Sequence, residues 1–200
     1  MIGKGKSISH GVAALEYDLA KEINGQAVAT EIARHELYGC TGAEMVQEMK
    51  PYHIDFPNVK NNCLRFEVSP SIEESATFTD ADWAELGNDF MQRMGLANHQ
   101  YIIIRHSGTE SKKEQAHLHI LANRVSLSGE LYRDNWIGKK ATEAANAIAK
   151  ERNFVQSQDI GKANKADGAK KRPAQWRPEG ARTAKRHTGQ TCAADGKTLA

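Results

Sequence analysis

The sequence predicts an α+β domain, an antiparallel or mixed sheet covered by helices, followed by a disordered basic tail. Three observations carry this reading. Residues 101–125 (YIIIRHSGTESKKEQAHLHILANRV) hold two apolar runs, Tyr101–Ile104 and Ala116–Val125. The polar loop between them is long for a hairpin but has hairpin chemistry: Gly, Ser, Thr and charges. Residues 63–70 (CLRFEVSP) alternate, with Leu64, Phe66 and Val68 on one face and Arg65, Glu67 and Ser69 on the other, the period of a strand. Residues 79–96 have helical spacing and open with a capping box: Thr79, then Asp82 three residues on, then Trp83, Leu86, Phe90 and Met94.

The other elements follow in chain order. Ile2–Ile8 reads as a short or edge strand. Its Gly5-Lys6-Ser7 triplet lacks the earlier glycine that a phosphate-binding loop requires, so that motif is rejected. Gly11–Glu22 is spaced as a helix, with Val12, Leu15, Leu19 and Ile23 on one stripe and Ser9 or His10 at its start. Tyr17 lies on this helix off the stripe, where a tyrosine is ordinarily an amphipathic edge residue. Asn24-Gly25 signals a turn. Gln26–Leu37 suits a strand or a short helix. Gly42–Tyr52 is helical through Met45, Val46 and Met49, and residues 58–62 form a polar turn. Gly95 closes the 79–96 helix. Leu131–Asn153 reads as a last helix carrying Trp136, Ile137, Ala141, Ala145 and Ile148.

Composition bounds the possibilities. The 200 residues are 40% hydrophobic, enough for one core. Mean hydropathy is −0.62, and no apolar run is long enough to span a membrane. The first residues form no secretory apolar core, because Glu16 and Asp18 interrupt it. Cys40, Cys63 and Cys192 are scattered and odd in number, which suits reduced thiols in a cytoplasm. The net charge of +2 hides an asymmetry: residues 161–200 hold ten Lys/Arg against three acids, and the first 160 hold 17 against 22. The expected division is a folded domain over 1–155 and a basic, low-complexity tail over 156–200. Such a tail either contacts nucleic-acid phosphates or is simply solvated.

The histidines carry the chemistry. On a strand, His117 and His119 point one way while Leu118 and Ile120 point into the opposite layer. If the strands pair as a hairpin, His106 lies beside the same face. Three converging imidazoles form a site for a divalent transition metal with coordination positions left open. An HExxH zinc-protease signature is absent, as are the HxE and PCxxC of the zinc deaminases. The run His117-Leu118-His119-Ile120-Leu121 lacks the third histidine of the histidine-triad hydrolases. There are not two separate H-x-T/S motifs for a two-histidine phosphoesterase.

Three stretches resemble the relaxases, or mobilization nucleases, of plasmids and conjugative elements in the HUH endonuclease superfamily. The nearest likeness is to the Bacteroides-like mobilization type. The stretches are MIGKGKSISHGVAALEYDLAKE, VKNNCLRFEVSPS, and His106 with His117-Leu118-His119-Ile120-Leu121-Ala122-Asn123-Arg124-Val125. They occur in that family's order and cover about residues 1–150. The resemblance implies a ferredoxin-like palm. It also implies nicking of single-stranded DNA at an origin of transfer through a 5′-phosphotyrosyl link. Tyr17 matches the nucleophile position, with His10 a lesser rival. His106, His117 and His119 match the ligands of a divalent ion: Mn²⁺ or Mg²⁺, with Zn²⁺ a further option. An acid near a ligating histidine orients it or serves as base; Glu67, Glu110 and Glu114 are the candidates. Accessory mobilization proteins and a coupling protein are the implied partners. Two departures stand out. The stretch SGTESKKEQA has glutamates where many relatives carry aspartates, in a longer loop, and the chain is shorter than most relatives. A rolling-circle replication initiator of the same superfamily and a non-catalytic DNA-binding accessory protein are the alternatives.

Overall fold

The computed structural model describes residues 1–108, 115–159 and 161–162. Glu110, Glu114 and the expected basic tail beyond 162 lie outside the described residues. The fold below is that of the unit Met1–Ala163.

Five strands form one sheet in the order β1-β5-β7-β6-β4, and every neighbouring pair is antiparallel. They are β1 (Ile2–Ile8), β4 (Ala29–His35), β5 (Cys63–Ser69), β6 (His99–His106) and β7 (His117–Ser126). The open choice between an antiparallel and a mixed sheet is thus settled, and Gln26–Leu37 is extended rather than helical. Between β1 and β4 a two-stranded ribbon, β2 (Glu22–Ile23) and β3 (Gln26–Ala27), turns at Asn24-Gly25. Both turn residues have positive φ, 54° and 75°, as a tight hairpin of this hand requires. The central position of β7 explains its nearly continuous apolar run, since helices cover much of both faces.

The period of two sends alternate residues to opposite layers. Leu64, Phe66, Val68, Ile103, Leu118 and Ile120 join one core. Over it lie α4 (Asp80–Arg93) and α5 (Ile137–Glu151), contributing Trp83, Leu86, Phe90, Ala141, Ala145 and Ile148. The expected Thr79–Asp82 capping box is present, with Thr79 accepting from the Asp82 amide and the Asp82 side chain accepting from the Thr79 amide. Gly95 takes φ +72° just past the helix, the usual left-handed stop. On the opposite face Ile8, Cys63, Ile102, Ile104 and Leu121 pack under α1 (Gly11–Leu19) and α2 (Gly42–Met49). A short α3 (Ile72–Ser75) follows β5.

The glycines of β1 have a packing role. A Cβ on Gly3 would lie 2.6 Å from Ala145 Cβ, and one on Gly5 would lie 2.8 Å from the Phe66 ring. Only bare backbone lets α5 approach this closely, so the Gly-Lys-Ser triplet belongs to a strand pressed against a helix.

Two helix expectations need correction. The buried stripe of α1 is Gly11, Ala14, Leu15 and Asp18, while Val12 is exposed. Small residues permit this shift: a Cβ on Gly11 would sit 2.6 Å from Cys63 Sγ, so the helix rolls toward its small side. The last helix begins at Ile137, not Leu131. Leu131 bridges to Val125, Tyr132 N–H donates to the Arg124 carbonyl at 2.9 Å, and the Asp134 carboxylate accepts from Arg124 at 2.7 Å. These bonds hold 131–134 against β7. Trp136, expected on the apolar stripe, is 81% exposed.

Candidate active site

The strand register assembles the site. His106 on β6 is directly opposite His117 on β7, and His119 lies between Ile104 on β6 and Glu67 on β5. Directly paired residues share a face. His106, His117 and His119 therefore meet on the α1 side of the sheet. Their ring centroids are 4.4 to 5.4 Å apart, and one donor nitrogen from each lies within 4.8 Å of the others. His106 and His117 are buried and His119 is nearly so.

Hydrogen bonds fix the tautomers of two rings. His106 Nε2–H donates to the Asp18 carbonyl at 2.7 Å, which leaves its Nδ1 lone pair open. His117 Nδ1–H donates to the Gln115 carbonyl at 3.1 Å, which leaves Nε2 open. His119 Nδ1 accepts from Arg65 Nη2 at 3.3 Å, and its Nε2–H faces His117 Nε2 at 3.1 Å. For His119 Nε2 to ligate a cation, its proton must move to Nδ1. The carboxylate oxygen on that side, Asp18 Oδ1, is 3.8 Å away, outside hydrogen-bond distance. Carbonyl or carboxylate partners behind ligating imidazoles are how such ligands are held. The donor set therefore fits a divalent ion.

Asp18 was not singled out by sequence reasoning. It is 2% exposed and receives two bonds from Arg65, at 3.0 and 2.5 Å. Its carbonyl accepts from His106, and its carboxylate is linked to His119 through the shared Arg65 guanidinium. The readable signal was its position: Asp18 is three residues after Leu15 and four after Ala14, on the face α1 buries. Arg65 was placed on the polar face of its strand, but without a role. Asp18→Asn leaves the Arg65 guanidinium without its counter-charge in a partly buried place. The expected cost is about 2–3 kcal/mol, read as a lower urea midpoint at unchanged m-value.

Electrostatics disfavour protonation of His119 and His106. Burial, then the neighbouring His106 and His117, then Arg65 and Lys4, push His119 down to about 2. Burial also lowers His106. A neutral imidazole is the ligating form. The same shift has a consequence for the metal-free protein. The unfolded His119 takes a proton below about 6.5, but the folded one does not until about pH 2. Between those values the unfolded state binds more protons, so stability falls as pH falls. Thermal melts in EDTA should lose up to about 1.4 kcal/mol per pH unit from this residue below pH 6.5. His119→Gln should remove that share of the slope.

A pocket of about 210 Å³ opens beside His119, lined by Lys4, Gly5, Lys6, Arg65, Phe66 and Glu67. Lys4 is paired there with Glu67 and Arg65 with Asp18, and Lys6 adds a further positive charge. Glu67, the described member of the carboxylate candidates, faces this pocket and accepts from Lys4 Nζ at 2.9 Å. Tyr17 sits one residue before Asp18 on the solvent side of α1 and is 55% exposed. Its hydroxyl accepts from Lys21 Nζ at 2.5 Å, and the ammonium lies 4.8 Å from its ring centroid. The structure thus brings the three histidines together and puts Glu67 on the adjoining wall. The Tyr17 hydroxyl is bonded to Lys21, and it is the neighbouring Asp18 whose carbonyl meets His106. His10 precedes the first turn of α1 and makes no side-chain cap.

An antiparallel sheet thus carries a triple-imidazole cluster that could hold a metal ion, beside a pocket lined by Lys4, Lys6 and Arg65. Residues 17–154 match the family model described as "Relaxase: MobA/VirD2-like, nuclease domain". The chain belongs to this relaxase family, and membership implies a DNA-nicking enzyme that binds single-stranded DNA. No curated protein and no solved structure matches the chain. Among the described residues, no helix is long and apolar enough to cross a membrane.

Proposed function

We infer that this protein nicks one DNA strand at an origin of transfer during mobilization of a plasmid or conjugative element. The observation that carries the reading is the convergence of His106, His117 and His119 within the stretch matched to the relaxase nuclease domain. Tyr17 is the nucleophile. Its oxygen bonds to phosphorus, and the bond from phosphorus to the 3′ oxygen breaks. The phenolic proton is given up and the released 3′ oxygen gains one. The product is a 5′-phosphotyrosyl link and a free 3′-hydroxyl, and the link retains the energy needed for rejoining.

Each residue has a task in that step. Lys21 sets a positive charge beside the Tyr17 oxygen, where negative charge develops during attack. Lys4, Lys6 and Arg65 line the pocket in which the strand's phosphates sit. Asp18 and the Gln115 carbonyl orient the imidazoles. Glu67 is the acid nearest the pocket and acts on the proton or on the placing of His119. His106, His117 and His119 would hold a divalent ion, Mn²⁺ or Mg²⁺ before Zn²⁺, which when bound would supply charge neutralisation at the scissile phosphate. The enzyme works in the cytoplasm with accessory mobilization proteins and a coupling protein. The test is incubation with a single-stranded transfer-origin oligonucleotide and Mn²⁺, followed by denaturing electrophoresis. A protein band shifted by the mass of one DNA fragment is expected. Tight binding without any adduct would overturn the reading.

A further inference from the structure

Trp136 is the most exposed of the large apolar side chains among the described residues, at 81%. It also holds φ +59° and ψ +28° immediately before α5, a left-handed conformation rare for a bulky residue. A protein gains nothing in folding by straining a tryptophan and leaving it in water. Such an outlier points to use elsewhere.

Its surroundings indicate that use. The residue is clamped from both sides onto the free edge of the sheet. Before it, Asp134 accepts from Ser7 Oγ on β1 at 2.6 Å and from Arg124 at 2.7 Å. After it, Gly138 abuts the Gly5 carbonyl, 3.5 Å from where its Cβ would be, and Thr142 donates to the Gly3 carbonyl at 3.1 Å. Trp136 is thus fixed between anchors on Ser7 and Gly5, on the α5 side of the free β1 edge, while Lys4 and Lys6 alternate with Gly3, Gly5 and Ser7 and face the other side. Lys6 and Lys4 line the cationic pocket that holds His119. The tryptophan is itself flanked by Arg133, Lys139 and Lys140. A rigid, exposed indole at an edge over which a strand would pass to reach that pocket is a surface on which single-stranded nucleic acid stacks its bases while its phosphates follow the charges.

We propose that Trp136 is a base-stacking platform for single-stranded DNA, placed on the α5 side of the free β1 edge, across which the strand passes to the pocket beside the three histidines. This rests on the reading of single-stranded DNA as the substrate. It adds a residue that grips the strand by a base face and leaves the phosphate contacts to Lys4 and Lys6.

The test is fluorescence titration of the full chain carrying Trp176→Phe, in EDTA so that no strand is cut, with a thymidine oligonucleotide. Trp83 is buried, so the solvent-exposed emission reports Trp136. Saturable quenching is expected, and Trp136→Gly should lower affinity about 5- to 100-fold at unchanged salt slope. Glycine suits the positive φ, so the fold is kept. Trp136→Tyr should restore most of the affinity. Lys6→Ala should instead reduce the salt slope by about one contact. Single-strand binding that Trp136→Gly leaves unaltered overturns the proposal alone. Equal loss of duplex and single-strand affinity overturns it too, because stacking needs an unpaired base. No binding of any single strand by the parent overturns the substrate reading and the proposal with it.

Discussion

Tyr17→Phe is expected to abolish the covalent protein–DNA adduct while leaving DNA binding within about twofold. The variant lacks only the oxygen that would bond to phosphorus. Tyr17 is 55% exposed, so the substitution costs within about 0.5 kcal/mol of stability, and loss of activity cannot be ascribed to unfolding. Removing a covalent nucleophile lowers turnover by on the order of 10⁴-fold or more. Gel-shift affinity and adduct yield, measured on one preparation, separate binding from chemistry. Retained adduct in Tyr17→Phe would move the nucleophile elsewhere, with His10 on the preceding turn the first place to look.

The second large effect is on the cation. His119→Ala removes a proposed ligand from the middle of the cluster, where it lies between His117 at 3.1 Å and the Asp18–Arg65 pair. Titration calorimetry with Mn²⁺ should show affinity reduced by more than about 100-fold, beyond the roughly 10- to 100-fold expected when an orienting partner such as Asp18 is lost. His99→Gln is the control. Burial lowers that histidine as well, but it donates to the Asn123 carbonyl and is not in the cluster, so metal affinity should be unchanged. An unaltered Mn²⁺ affinity in His119→Ala would remove the ligand assignment.

Much of the fold and the convergence of the three histidines was legible because strand geometry is rigid. Once 63–69, 99–106 and 117–126 are strands, the period of two fixes which side chains share a face. Two separated apolar runs and one alternating run sufficed to place His106, His117 and His119 together. The capping box at Thr79 and the Asn24-Gly25 turn were readable for the same reason, since each depends on local hydrogen bonding or φ alone. What was hidden depends on how helices roll and where loops dock. Asp18 lay on a helix whose buried face was assigned to Val12 rather than to Gly11 and Ala14. That face turned because small residues let α1 approach Cys63. Trp136 was read as part of a helix because apolar spacing continues through it. The Asp134 contacts with Ser7 and Arg124 that stop the helix are long-range and carry no local signature.

The central claim is that Tyr17 takes the DNA strand. The direct measurement is digestion of the adduct with nuclease and trypsin, followed by tandem mass spectrometry of peptide 7–21 (SISHGVAALEYDLAK), which contains both His10 and Tyr17. The account predicts an acid-stable nucleotide on Tyr17, formed with Mn²⁺ and absent with EDTA. An acid-labile modification on His10, or an unmodified peptide from a shifted band, would contradict it.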